Sequence, residues 1–106
     1  MPFAKITTAA IGSTAIVLAV PGRTIRVFGY VLVAAGAVAV KWQSAAVDLT
    51  GVMTMATGVP LVCPTAPLVA GERAAYLETA AGEALNLNLS GGVQVSGHLE
   101  YMYRTV

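Results

Sequence analysis

Val93-Gln94-Val95-Ser96-Gly97-His98-Leu99-Glu100-Tyr101-Met102-Tyr103-Arg104-Thr105 is the stretch that decides the fold. Val93, Val95, Gly97, Leu99, Tyr101 and Tyr103 fall on one side of an extended chain. Gln94, Ser96, His98, Glu100 and Arg104 fall on the other, with Met102 the one apolar residue out of step. Successive side chains of a strand point to opposite faces, so this period of two means a strand half buried in an antiparallel sheet. Just upstream, Leu85, Leu87 and Leu89 alternate with Asn86, Asn88 and Ser90. The odd-numbered residues of both stretches need the core. A hairpin closed by the three-residue loop Ser90-Gly91-Gly92 satisfies this, placing Leu89 beside Val93, Leu87 beside Val95 and Leu85 beside Gly97. Gly92 would supply the positive φ such loops end on.

The same reasoning applies upstream. Phe28, Tyr30 and Leu32 share parity with Val38, Val40 and Trp42, and the loop Ala34-Ala35-Gly36 again ends in Gly. The expected hairpin pairs Leu32 with Val38, Tyr30 with Val40 and Phe28 with Trp42. Its opposite face carries Val27, Val31 and Val33, so it is apolar on much of both faces and is either central or covered by another chain. Further strands are expected at about Phe3–Ala9, Thr14–Val20, Val52–Ala56, Val59–Cys63 and Ala75–Thr79, with turns at Pro21-Gly22, Thr50-Gly51, Thr57-Gly58 and Ala70-Gly71. Helical spacing is sustained only weakly, around Glu72–Ala84. Short strands at regular spacing with Gly/Pro punctuation predict an all-β protein, an antiparallel β-sandwich of jelly-roll-like topology with seven to nine strands.

The chain has 106 residues, enough for one domain with its own core (residues 1–106), in which residues 1–13 form either an N-terminal arm or an edge strand. Six Lys/Arg and five Asp/Glu make 10% charged residues, against about 25% in an ordinary soluble domain. Apolar residues reach 57%. Disorder is excluded by that balance. The net charge of +1 and the scattered cations argue against nucleic acid as a partner. A folded monomer of this mass should expose roughly 5,500 Å², too much for so few charges to dress evenly. Part of the surface is therefore expected to be covered in use, by copies of the chain, a partner or lipid. The single Cys63 excludes an intramolecular disulfide.

A mean hydropathy of +0.75 raises the membrane question. Of the charge-free runs, Ile6–Gly22 is interrupted by Thr7, Thr8, Gly12, Ser13, Thr14 and Pro21. Val27–Val40 is too short for a span, and Leu49–Gly71 contains Pro60, Pro64 and Pro67. None makes a good spanning helix, so no membrane is expected as a partner. Lys5 followed by apolar residues to Val20 has the outline of a signal peptide, but Gly12-Ser13-Thr14 breaks its centre and the cleavage pattern is poor. The N-terminus is read as part of the fold.

Groups that could carry chemistry are few. His98 lies on the polar side of its strand and reads as a solvated or interfacial side chain. No Cys/His/Asp set has metal-ligand spacing, and no catalytic residue, metal or cofactor is expected. Cys63 reads as a small buried hydrophobe. Glu78, Glu83 and Glu100 could form a glycosidase-like carboxylate pair but read better as loop-edge charges. Trp42, Tyr30, Tyr76, Tyr101 and Tyr103 could stack on sugars, yet inward strand positions make them core. Candidates for partner binding are Phe3 and Lys5 in the N-terminal segment, Val31 and Val33 on the second apolar face, and Leu61 and Leu68 in the Pro-rich middle.

Several stretches resemble small virion proteins encoded by tailed phages and prophages. They are Pro21-Gly22-Arg23-Thr24-Ile25-Arg26-Val27-Phe28-Gly29-Tyr30-Val31-Leu32-Val33, Ala35-Gly36, Lys41-Trp42-Gln43-Ser44, Leu49-Thr50-Gly51, Glu78-Thr79-Ala80-Ala81-Gly82-Glu83-Ala84-Leu85-Asn86-Leu87-Asn88-Leu89-Ser90 and Gly97-His98-Leu99-Glu100-Tyr101. The pattern runs from about residue 14 to residue 101, and Val59–Gly71 departs from it. The resemblance implies a non-enzymatic head decoration (cement) protein on the outside of the phage head. Its partner would be the major capsid protein and its state a homo-oligomer, with a trimer favoured. The alternatives are a tail- or fibre-associated binding module of the same architecture, reading glycans through Trp42 or a tyrosine, and a small membrane protein such as a holin.

Overall fold

In the computed structural model, residues 3–63, 68–69, 72–73 and 77–105 are described, the side chains of 68–69 and 72–73 excepted. The alternating stretches become strands: β1 (Phe3–Thr8), β2 (Gly12–Val17), β3 (Arg23–Ala34), β4 (Val38–Ser44), β5 (Val47–Asp48), β6 (Met53–Met55), β7 (Leu61–Cys63), β8 (Leu68–Val69), β9 (Glu72–Arg73), β10 (Leu77–Glu78), β11 (Leu85–Leu89) and β12 (Val95–Thr105). Several are two- or three-residue pieces, which is why the sequence suggests fewer. The described residues contain no helix. The expected turn at Ala70-Gly71, and Tyr76, lie outside the described residues.

Two antiparallel sheets form the sandwich. Sheet A runs β1-β12-β3, with β7 and β10 both on the far side of β3. Sheet B runs β2-β11-β4, with β5 and β6 both on the far side of β4, and β8 and β9 form a separate pair. Strands β1 and β2, β3 and β4, and β11 and β12 each split between the two layers, and the resulting order is that of a jelly roll.

This corrects both expected hairpins. β11 pairs with β2 and β4, not with β12, and β3 pairs with β12, β7 and β10, not with β4. The loops at 90–92 and 34–36 are arches that carry the chain from one sheet to the other. Accordingly, neither Gly36 nor Gly92 takes a positive φ. Shared parity sends two strands' side chains to the same core, and facing strands across a sandwich satisfy that as well as neighbours do. The two-sided apolarity of β3 and β4 has the first of its two expected causes: each is a central strand of its sheet.

The core is the set of side chains between the sheets. Sheet A contributes Ile6, Ile25, Val27, Leu32, Val95 and Leu99, and sheet B contributes Val40, Trp42, Leu85, Leu87 and Leu89, all essentially solvent-free. Tyr30 meets Trp42 edge-on at 5.3 Å between ring centres. Each such side chain contributes roughly 1.5–3 kcal/mol by leaving water. Tyr101 and Tyr103 are half-buried against this core, and the Tyr103 hydroxyl donates to the Leu18 carbonyl at 2.7 Å.

A bulge in β3 alters the expected faces. Glu100 pairs with Gly29 but Tyr101 pairs with Val27, leaving Phe28 as the extra residue. Below the bulge odd-numbered Ile25 and Val27 point inward; above it even-numbered Tyr30, Leu32 and Ala34 do. Val27, expected opposite the core, is therefore in it. Phe28 is buried outside the core cluster, with the Arg26 guanidinium 5.6 Å from its ring centre. The extra residue shifts the alternation by one and increases local twist.

The end that holds residues 79–84 is pinned to both sheets by polar groups. Thr79 Oγ1 accepts from the Ile25 amide at 2.9 Å, Ser44 Oγ accepts from the Ala80 amide at 2.9 Å, and Ser44 Oγ donates to Glu83 at 2.5 Å.

Gly97, paired with Leu32 of β3, has a φ of 154° that aims the Cβ position at the neighbouring strand. A Cβ there would sit 1.8 Å from the Val31 carbonyl oxygen, in backbone that cannot step aside. Gly91, in the arch, has open space around it. Gly97→Ala should therefore lower the free energy of unfolding by about 3 kcal/mol or more, while Gly91→Ala changes it by less than ~1. Urea denaturation of the two variants checks this.

Candidate docking surface

The two outer faces of the sandwich differ. On sheet B the outward side chains satisfy one another. Ser13 Oγ donates to Gln43 Oε1 at 2.6 Å, Asn88 Nδ2 donates to Ser13 Oγ at 3.0 Å, and Gln43 Nε2 donates to Asp48 Oδ1 at 2.9 Å. Lys41 Nζ adds an ion pair to Asp48 at 3.2 Å. Gln43 and Lys41 together hold the Asp48 carboxyl below its ordinary range. This face has spent its polar groups internally.

Sheet A's outer face divides at the Phe28 bulge. Below it, Met102 pairs with Arg26 and Arg26 with Glu78. Glu78 accepts from Thr24 Oγ1 at 2.7 Å and lies 3.8 Å from Arg104. Above the bulge, the register sets Lys5, His98, Val31 and Val62 in one row across four strands, and Thr7, Ser96 and Val33 in the next. Phe3 stands beside this block, 66% exposed, its ring 6.2 Å from that of His98. Val62 is 54% exposed and Val33 38%. Beside Phe3, Gly29, with no side chain, lines a shallow depression of about 120 Å³ walled by Phe3, Val31, Val62, His98 and Glu100.

Four of the partner candidates, Phe3, Lys5, Val31 and Val33, thus come together on one half-face. Leu61 does not join them: it packs against the core, and Val62 takes the outward position. Alternation within Leu61-Val62-Cys63 carried that signal, since only one parity of so short a strand can face out. Leu68 falls in β8, whose side chains lie outside the described residues. Residues 1–13 are not a free arm where described: β1 is an edge strand, paired along its whole length with β12.

The remaining candidates have ordinary places. Cys63 is half-buried against the core, and burial pushes its thiol above the usual value, away from reactivity. Burial, and secondarily Cys63, raises the Tyr30 phenol. His98 is exposed. Glu78 and Glu83 are held by Thr24 and Ser44 at the far end of the sandwich, whereas Glu100 lies beside Phe3. Among the described residues no group of His, Cys, Asp and Glu is arranged to hold a metal ion, and no helix is long and apolar enough to cross a membrane. Trp42 is fully buried, so it is not a platform for sugars.

Compared with known proteins, the chain matches no family model, no curated protein and no solved structure.

Two outcomes follow. Trp42 fluorescence should be blue-shifted and almost untouched by iodide in the native protein, becoming quenchable on unfolding. Because folding lowers the Asp48 pKa, its stabilising effect is complete above the unfolded value of about 4 and disappears as the pH drops through the folded one. Asp48→Asn should be slightly less stable than wild type at pH 7 and equal to it near pH 2, a small gap because the pair is exposed. Thermal melts at the two pH values measure it.

Proposed function

We propose that the chain is a non-enzymatic structural protein that decorates the outside of a phage head, with the upper half of sheet A's outer face seated on the major capsid protein. The observation that carries this reading is the inequality of the two faces. One is closed by its own hydrogen bonds, and the other exposes Phe3 and Val62 around a side-chain-sized depression, with Val33 exposed further along β3. With 5444 Å² of surface and 11 charged side chains, about one per 500 Å², the chain keeps little polar cover for a solitary life. The resemblance to small virion proteins supplies the identity of the partner.

Attachment would combine two elements. The half-face buries apolar area with Lys5, His98 and Glu100 at its rim. The free edge of β1, which pairs only with β12 among the described residues, offers backbone groups to an added strand. Many copies in a closed homo-oligomer, a trimer being favoured, would turn modest single contacts into firm cover and brace the shell against packaged DNA.

Purified protein mixed with undecorated heads of the cognate phage should co-sediment at a fixed copy ratio. Val62→Lys and Val33→Lys, both at exposed positions, should weaken that binding tenfold or more while leaving the far-UV spectrum and melting temperature unchanged. Failure of the wild-type protein to co-sediment would overturn the reading.

A further inference from the structure

The half of sheet A's outer face below the Phe28 bulge has no part in the docking surface. With Ile25, Val27 and Tyr101 turned to the core, the alternate residues Thr24, Arg26, Glu78, Met102 and Arg104 point outward there. Arg26 stands between Glu78 and Met102 in the register. Arg104 pairs with Thr24, which makes it the diagonal neighbour of Arg26, roughly 7–8 Å away. The acid beside Arg26 does not neutralise it. Glu78 is engaged instead by Thr24, whose Oγ1 donates to it at 2.7 Å, and lies 3.8 Å from Arg104. Arg26 turns to Phe28, its guanidinium 5.6 Å from the ring centre. Among the described residues no carboxylate is within ion-pair range of Arg26 and no group accepts a hydrogen bond from it. Its Nε is shut off from water without a partner, while its terminal nitrogens are not shut off.

We propose that this half-face is a carboxylate site, in which the Arg26 guanidinium takes both oxygens and Arg104 closes on them from the side. The first support is donor supply. A guanidinium holds its N–H donors in one plane, and a half-buried one ordinarily spends some of them within the fold. Arg26 spends none on the described residues, so its open edge awaits an acceptor from outside. The second is orientation. Stacking on the Phe28 ring leaves the donors at the edge of the plane free, and that edge matches a planar carboxylate in a two-pronged grip. A side chain already held by a ring loses less freedom when the ligand arrives. The third is charge. Arg26 and Arg104 against Glu78 leave one net positive charge among the outward residues here, which a monoanion balances. A phosphate dianion would bring more negative charge than the pair can match, close to the Glu78 carboxylate. An acidic side chain of a protein partner and a free small acid offer the same two oxygens, and the test separates them.

The site lies apart from the docking half-face and its test needs no phage head, so it stands or falls independently of the decoration reading. Isotope-labelled protein is titrated with sodium acetate near neutral pH, the ionic strength being held constant with sodium chloride. In proton–nitrogen correlation spectra the Arg26 Nε–H signal and the Thr24 and Met102 amides should shift in a saturable way. Half-saturation is expected at roughly 10 mM, the range of a single weak contact. Arg26→Gln should abolish the amide shifts, and Arg26→Lys, which keeps the charge and loses the fork, should weaken binding about fivefold or more. Arg104→Gln, at an exposed position, should weaken it about threefold. Glu78→Gln, whose amide oxygen still accepts from Thr24, should tighten it severalfold. A blocked Gly-Glu-Gly peptide that binds more tightly than acetate assigns the site to the acidic side chain of a protein, and equal affinity assigns it to free carboxylates. Absence of a saturable shift, shifts that chloride alone reproduces, or unchanged binding in Arg26→Gln would overturn the proposal and leave Arg26 as a cover for Phe28. So would inorganic phosphate binding more tightly than acetate, or Glu78→Gln binding no tighter than the wild type.

Discussion

The structure depends on one constraint: each long strand has one parity of side chains that must leave water, and only a second sheet laid over the first can take them. Leu85, Leu87 and Leu89 from β11 and Val40 and Trp42 from β4 fill one side of that layer. Leu32, Val95 and Leu99 fill the other. The rest of the architecture accommodates this contact. The bulge at Phe28 re-aims β3 so that Ile25 and Val27 reach the same interior as Tyr30 and Leu32. Gly97 leaves free the space beside the Val31 carbonyl that any side chain would enter.

The same constraint explains why the surface is uneven. With apolar residues at 57% of the chain and the interior holding only one face of each sheet, the surplus has to go outside. Sheet B keeps its exterior polar through Asn86 and Asn88, the residues between the core leucines. Sheet A has no such reserve above the bulge, because alternate positions there are Val31 and Val33, and the neighbouring strands add Phe3 and Val62. The arches add alanine and glycine. The molecule therefore has one self-satisfied side, one charged end, and two apolar regions.

Much of this was legible in the chain. Alternation at 85–89 and 93–105 identified the strands and the inward side chains, and Gly/Pro punctuation indicated a sandwich. The pairing was less so. Parity cannot distinguish a strand beside from a strand opposite, so both supposed hairpins were arches, although a jelly-roll order itself requires consecutive strands to change sheets. The Phe28 bulge was illegible because an apolar residue is acceptable on either face of a stretch as apolar as Val27–Val33. On the candidate surface, Phe3, Lys5, Val31 and Val33 were named from sequence, whereas Leu61 stood in for its neighbour Val62.

The place of β1 between solvent and β12 has a consequence for biogenesis. β1 is completed by β12, which separates it from β3. While the polypeptide leaves the ribosome N-terminus first, β1 and β3 therefore wait without their shared neighbour until residues 95–105 emerge. Sheet A therefore closes only after β12 has been made, and until then the apolar β3 has to be kept from other nascent chains.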